Sequence, residues 1–228
     1  MLTSVVDAFH SFASSADLAD SLRVARREFI TLRGDLFDSD SDYEARLGVF
    51  LDWFICDRKV RIGDTTQSAA SYFIEREHTN LSSDALAYAE AFRDSSLRLL
   101  LFKKLRKDGS ALFEDIVLGG KFEIQNALEV FVALERKQLV EARVVELHGD
   151  YFVSPFWMPR PSEVQKIIVK ASRIFRSSKG ESIDSPEEMR GDHLRFLHRI
   201  AELSNRCSRY THVKAVEIFK ELPDSPLA

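Results

Sequence analysis

The sequence predicts an α+β fold: a helical N-terminal region, a small antiparallel β-barrel-like sheet, and C-terminal helices. Three observations carry that expectation. Apolar residues recur at helical spacing through the first ninety-odd residues, as at Leu18, Leu22, Ala25, Phe29 and Leu32. From residue 97 the period shortens to two, and turn signals divide the next stretch of about sixty residues into five or six short runs. After "PFWMPRP" at 155–161 the helical period returns, with capping residues ahead of it. The expected division is 1–95, 96–158 and 159–228.

The elements follow in order. Residues 2–13 and 16–33 read as helices. The "DSDSD" run at 38–42 is a turn rich in N-cap residues, and "YEARLGVFLDWFICDRK" is the helix it starts, in a unit closed by Gly63 and Asp64. Further helices are expected over 66–77 and 83–94, the second capped by Ser82 or Ser83. "LRLLLFKKLR" at 97–106 is a strand that ends in a Lys-Asp-Gly turn. "SALFEDIVLGGKFEIQN" alternates on both sides of Gly119-Gly120, a hairpin pattern. Residues 127–137 fit strand or helix, with a strand through Phe131 and a helical turn after it preferred. "QLVEARVVELHGDYFVSP" is a second hairpin, with Val140, Ala142 and Val144 on one face. Ser162 and Gln165 suggest a capping-box start for a helix over 162–177, and 178–185 is a linker. Ser185, Pro186 and Glu188 combine an N-cap, a first-turn proline and a capping glutamate, predicting a helix over 186–206. A last helix is expected over 210–221.

Composition narrows function. With 228 residues, 45% hydrophobic and 30% charged, and with 17 Phe, the chain has the profile of a soluble globular protein with a sizeable core. Its net charge of −4 gives no global attraction to nucleic acid or anionic lipid. Two cysteines are too few for a disulfide framework, so a cytoplasmic location is expected. No apolar run is long enough for a membrane span, and the first residues lack a positive region ahead of an apolar one.

Most chemical motifs are missing. There is no G-x-G-x-x-G, no Walker loop, no G-x-S-x-G and no H-E-x-x-H. His193 and His198 are five apart, roughly 140° around a helix, so the histidines read as solvated or helix-surface residues rather than metal ligands. No cofactor is expected. Cys56 reads as a buried, inert thiol. Two basic clusters, at 98–107 and 166–179, bring a candidate patch of Lys103, Lys104, Lys166, Lys170 and Arg173. A solvated cationic face is the weightier reading, and phosphate binding the other. Phe102, Phe122, Tyr151 and Phe152 could stack bases, but their alternation places them in the core first.

The stretch "FLDWFICDRK" at 50–59 sets Asp52, Trp53, Asp57 and Arg58 among large rings. A carboxylate there loses solvent unless a donor meets it, so docking of the helix outweighs a ligand or partner site. This helix, the Gly-x-Thr turn after it and the "LSSD" cap resemble a pattern in uncharacterised bacterial proteins with an F-x-D-W-F-x-x-D-R helix. The resemblance covers roughly residues 44–155. Some such proteins carry a SEC-C zinc module, for which this chain lacks the cysteines. It implies architecture only, and Cys56 stands where an aromatic or aliphatic residue is usual. Three functions stay in view. The first is a non-enzymatic cytoplasmic protein-interaction or adaptor module, with a protein partner or self-association. The second is a nucleic-acid-binding module using the two basic clusters. An enzyme built around Asp52 and Asp57 is the third.

Overall fold

A computed structural model describes residues 1–131, 134–179 and 186–222. The N-terminal region is built from α1 (Leu2–Ala13), α2 (Ala19–Arg33), α3 (Tyr43–Cys56), α4 (Ala69–Glu77) and α5 (Ser83–Arg93). A single 3-10 turn at Ala16–Leu18 precedes α2. Their apolar stripes meet in one core in which Phe9, Phe54 and Phe92 are fully buried. Ser82 caps α5 by accepting from the Ala85 amide, and Ser68 caps α4 through the Ser71 amide.

A hairpin, β1 (Lys59–Ile62) and β2 (Thr65–Ser68), interrupts this region where only helix and turn were expected. Ile62 pairs with Thr65, and Gly63 between them takes a positive φ of 59°. The β-branched Thr65 and Thr66 favour the extended state, so α4 starts at Ala69 rather than at residue 66.

The middle of the chain closes into a barrel. Its strands are β3 (Ser96–Leu105), β4 (Ala111–Asp115), β5 (Lys121–Ile124), β6 (Leu139–Leu147) and β7 (Asp150–Pro159), in the order β3-β4-β5-β7-β6 and back to β3. Four of the five contacts are antiparallel; β5 meets β7 in parallel through Ile124 and Tyr151. A helical turn, α6 (Ala127–Val130), lies between the third and fourth strands. The long first strand pairs β6 through its first half and β4 through its second. This is the connectivity of the oligonucleotide/oligosaccharide-binding (OB) barrel, a scaffold that by itself names no ligand. The turn at Ala127–Val130 corrects the expected strand through Phe131: Asn126 ties its side chain to both backbone groups of Val153, and Val130 accepts from Trp157 Nε1.

Alternation along the strands sorts the barrel into inside and outside. Leu100, Phe102, Phe113, Ile124, Val140, Ala142 and Val153 fill the interior. The outward residues of β6 are Leu139, Glu141, Arg143 and Val145, and none reaches solvent because helices cover that face. The charges of Glu141 and Arg143 are therefore buried between layers. The C-terminal helices are α7 (Gln165–Lys179), α8 (Pro186–Arg209) and α9 (Ala215–Phe219). They bury Ile168, Phe175, Leu197, Ile200 and Phe219 against Leu97 and Leu99 of β3. A 3-10 turn at Ser162–Val164 starts α7 without a side-chain cap, unlike the expected capping box. Ser185 lies outside the described residues. The last helix is shorter than 210–221, because residues 211–213 form a turn and helix begins only after Lys214. Among the described residues, no helix is long and apolar enough to cross a membrane.

Candidate functional site

Helix α3 lies against the outer face of the barrel, and this position decides what its charges do. Gly48 lets β7 approach closely: a Cβ there would stand 2.0 Å from Phe156 Cγ. Phe156 stacks on His10 with 5.0 Å between ring centroids. His10 Nε2 meets Asp52 Oδ1 at 2.8 Å, and Ser154 Oγ donates to Asp52 Oδ2 at 2.6 Å. These are the residue types of a hydrolase triad in the wrong order. The carboxylate stands between serine and imidazole, so His10 makes its contact with Asp52 and not with the Ser154 hydroxyl, and both Ser154 and Asp52 are buried.

Asp57 ends the helix. Its Oδ2 accepts from Arg143 Nη2 of β6, and its Oδ1 accepts from Arg190 Nη2 of α8 at 2.8 Å. Burial opposes ionisation of Asp57, but the two guanidinium groups outweigh it and hold the carboxyl below its ordinary range. Arg143 also donates to the Ser95 carbonyl and hydroxyl at 3.3 Å. Trp53 packs on Phe29, Phe50 and His198. Arg58 makes a two-pronged, partly exposed pair with Glu28 of α2, at 2.6 and 3.0 Å. The four residues of this segment thus make separate docking contacts. Cys56 is buried beside them, and burial pushes its thiol up to about 12.

A second buried cluster escapes the sequence reading. Glu141 on the outward face of β6 meets Arg33 of α2 at 2.5 Å and Arg160 at 2.6 Å. Burial would raise its pKa, yet the two arginines bring it down to about 2. Arg33 Nε donates to His198 Nδ1 at 2.7 Å. His193 and His198 are buried, not solvated as expected, and desolvation lowers them to about 4 and about 3. Alternation of Glu141 and Arg143 with Val140, Ala142 and Val144 was the available sign of these charges; that helices cover the strand was not visible. Among the described residues, no group of three His, Cys, Asp or Glu side chains could hold a metal ion.

The cations of the first basic cluster divide into two sets. Lys103 pairs with Glu114 at 2.5 Å, Arg106 with Glu123 at 2.9 Å and Arg98 with Asp115 at 3.1 Å. Arg176 of the second cluster donates to the Ile116 and Val117 carbonyls at 2.7 and 3.1 Å. Lys166, Lys170 and Arg173 stand on the exposed side of α7. Lys104 joins Arg136 and Lys137, residues beyond the expected patch, on the rim of an open groove of about 860 Å³.

The groove runs beside the end of β3. Register slips between Phe102 and Lys104, a bulge beyond which Lys104 and Leu105 still pair with Leu112 and Ala111 of β4. Residues 134–137 pass alongside it: the Phe102 amide donates to the Gln138 carbonyl, and the Lys137 amide donates to the Phe102 carbonyl. Phe102, Ala111, Ala127 and Phe131 make an apolar floor. On the rim Leu105 is 51% exposed and Leu128 is 60% exposed. The Gly109 turn brings them together, and Leu128 Cδ1 lies 3.0 Å from where a Cβ at Gly109 would be. Gln165 at the start of α7 closes the groove's far side, beside Lys166. Comparison with family models, curated proteins and solved structures gives no match to this chain.

Proposed function

We propose that the protein is a non-enzymatic binding module of the cytoplasm, whose barrel groove holds a segment of a protein partner. That segment carries large apolar side chains flanked by Asp or Glu. One observation carries the reading: two exposed leucines, Leu105 and Leu128, border an apolar floor, with Lys104, Arg136 and Lys137 on the same rim. Apolar side chains supply the affinity, and the cations select for acidic neighbours and speed encounter. The cytoplasmic placement rests on the two free cysteines.

A second reading, single-stranded nucleic acid, is favoured by the barrel's connectivity. The outer residues of β4 and β5 speak against it. They set Glu114 and Glu123 beside Lys121, and those acids already hold Lys103 and Arg106. Bases also lack a stacking platform there. Phe113 is buried, Phe122 and Tyr151 meet edge to face at 5.0 Å, and Phe152 packs toward Tyr88.

Selection of random peptides displayed on phage tests the proposal. Enriched peptides should combine Leu, Ile or Phe with Asp or Glu. A labelled enriched peptide should bind about tenfold more weakly to Lys104→Glu/Arg136→Glu and to Leu105→Asp/Leu128→Asp. No enrichment, or binding indifferent to both variants, overturns the reading. Tight binding of labelled oligothymidylate that falls steeply with salt favours nucleic acid instead.

A further inference from the structure

Away from the groove, three arginines wall a second and far smaller cavity. Arg33 of α2, Arg46 of α3 and Arg160 just beyond β7 surround a space of about 10 Å³, roughly the room for one water-sized particle. Val49 and Met158 form its apolar side, and Asn205 of α8 borders it. Among the described residues that line it there is no carboxylate. The three arginines are only 3%, 6% and 5% exposed.

Charge around the cavity is unevenly placed. The buried carboxylate in contact with these arginines is Glu141, shared by Arg33 and Arg160. Arg46 pairs with Asp40, whose side chain is partly in solvent and is shared with Arg209. Asp42, half-buried at the start of α3, also acts on Arg46 and Arg160. Counting the fully buried groups alone, three cations face one anion. Two N–H groups of these walls, Arg33 Nη2 and Arg160 Nε, are buried without a protein acceptor. Each such donor costs free energy until something accepts from it.

We infer that this cavity binds a small monovalent anion, with chloride the ion to test. A water molecule would satisfy the two donors but brings two protons of its own, and among the side chains lining the cavity only the Asn205 carboxamide oxygen accepts a hydrogen bond. An anion accepts from every donor and offsets the excess charge. Because the walls come from α2, α3, the end of β7 and α8, a bound ion ties four separate parts of the chain together.

Thermal unfolding in chloride, compared with gluconate at the same ionic strength, tests this. Gluconate is too large for the cavity. Chloride should raise the melting temperature saturably, by about 3 to 6 °C at a tenfold excess over Kd. Ala201→Val, which fills the cavity from α8, should abolish the difference between the two salts. In the wild-type chain the chlorine NMR line should broaden on binding and sharpen with competing bromide. A crystal grown in bromide should show one anomalous peak between Arg33 and Arg160. Those two readouts decide the matter whether or not Ala201→Val folds. Equal melting temperatures in chloride and gluconate, or a cavity without bromide, overturn the inference.

Discussion

Replacing Arg143 by methionine removes the more deeply buried of the two cations that hold Asp57. Arg143 and Asp57 have side chains 1% exposed, whereas the Arg190 side chain is 43% exposed. Arg143→Met leaves a buried carboxylate facing one solvent-screened partner, a loss of about 3 to 5 kcal/mol. Arg190→Met removes only the exposed arm and should cost about 1 kcal/mol or less. For a chain of this length, the first loss lowers the melting temperature by roughly 6 to 20 °C and the second by about 2 to 4 °C. Urea unfolding followed by circular dichroism, repeated across the acid range, measures both. The pH dependence has a definite sign. In the wild-type chain the folded pKa of Asp57 lies below the unfolded value, about 3.9. Its stabilisation is therefore present above that value and is lost as pH falls through the folded one. In Arg143→Met desolvation prevails and the folded pKa rises, so the native state keeps a proton that the unfolded chain releases. The variant's deficit is then largest near neutrality and shrinks in acid. Equal deficits in the two arginine variants, or one for Arg143→Met that does not shrink in acid, would refute the account.

Two further substitutions probe the same helix. Trp53→Ala should cost about 3 to 5 kcal/mol in urea unfolding, because the ring is buried against Phe29, Phe50 and His198. Wild-type stability would return this segment to the candidate ligand sites. Gly48→Ala should destabilise by about 1 to 3 kcal/mol, although alanine favours helix by about 1 kcal/mol. The new Cβ meets the base of the Phe156 ring at 2.0 Å, and that ring is held by its stack on His10. A stabilised Gly48→Ala would show that β7 yields more readily than this packing implies.

Helices with long apolar stripes, such as α2 and α8, are legible in the sequence because their period repeats over several turns. The hairpin β1–β2 is not, since its strands are only four residues long: Lys59–Ile62 alternates over too short a run, and Thr65–Ser68 is wholly polar. Barrel closure rests on the single parallel contact of Ile124 with Tyr151, a tertiary event that no local pattern announces. The aromatic helix shows a similar limit. Its need for donors is readable at Asp52 and Asp57, but His10, Ser154, Arg143 and Arg190 are distant in sequence. In the basic cluster, charge is legible and pairing is not: Lys103 reaches Glu114 only through strand register, while Lys104 beyond the bulge does not. The groove needs Leu105 and Leu128 brought together by a turn and a helical segment whose residues suggest a strand.

The partners of Asp57 also impose an order of assembly. Arg143 lies 86 residues downstream and Arg190 lies 133 downstream. Synthesis at about 5 to 20 residues per second puts roughly 4 to 17 s between Asp57 and Arg143, its buried counter-ion. Through that interval the carboxylate is better left hydrated, so the end of α3 gains nothing by sealing early. The nascent N-terminal helices wait with their barrel-facing side open. Strand β6, which carries Arg143, then acts as the latch that lets the end of α3 close, and Arg190 adds the outer arm afterwards.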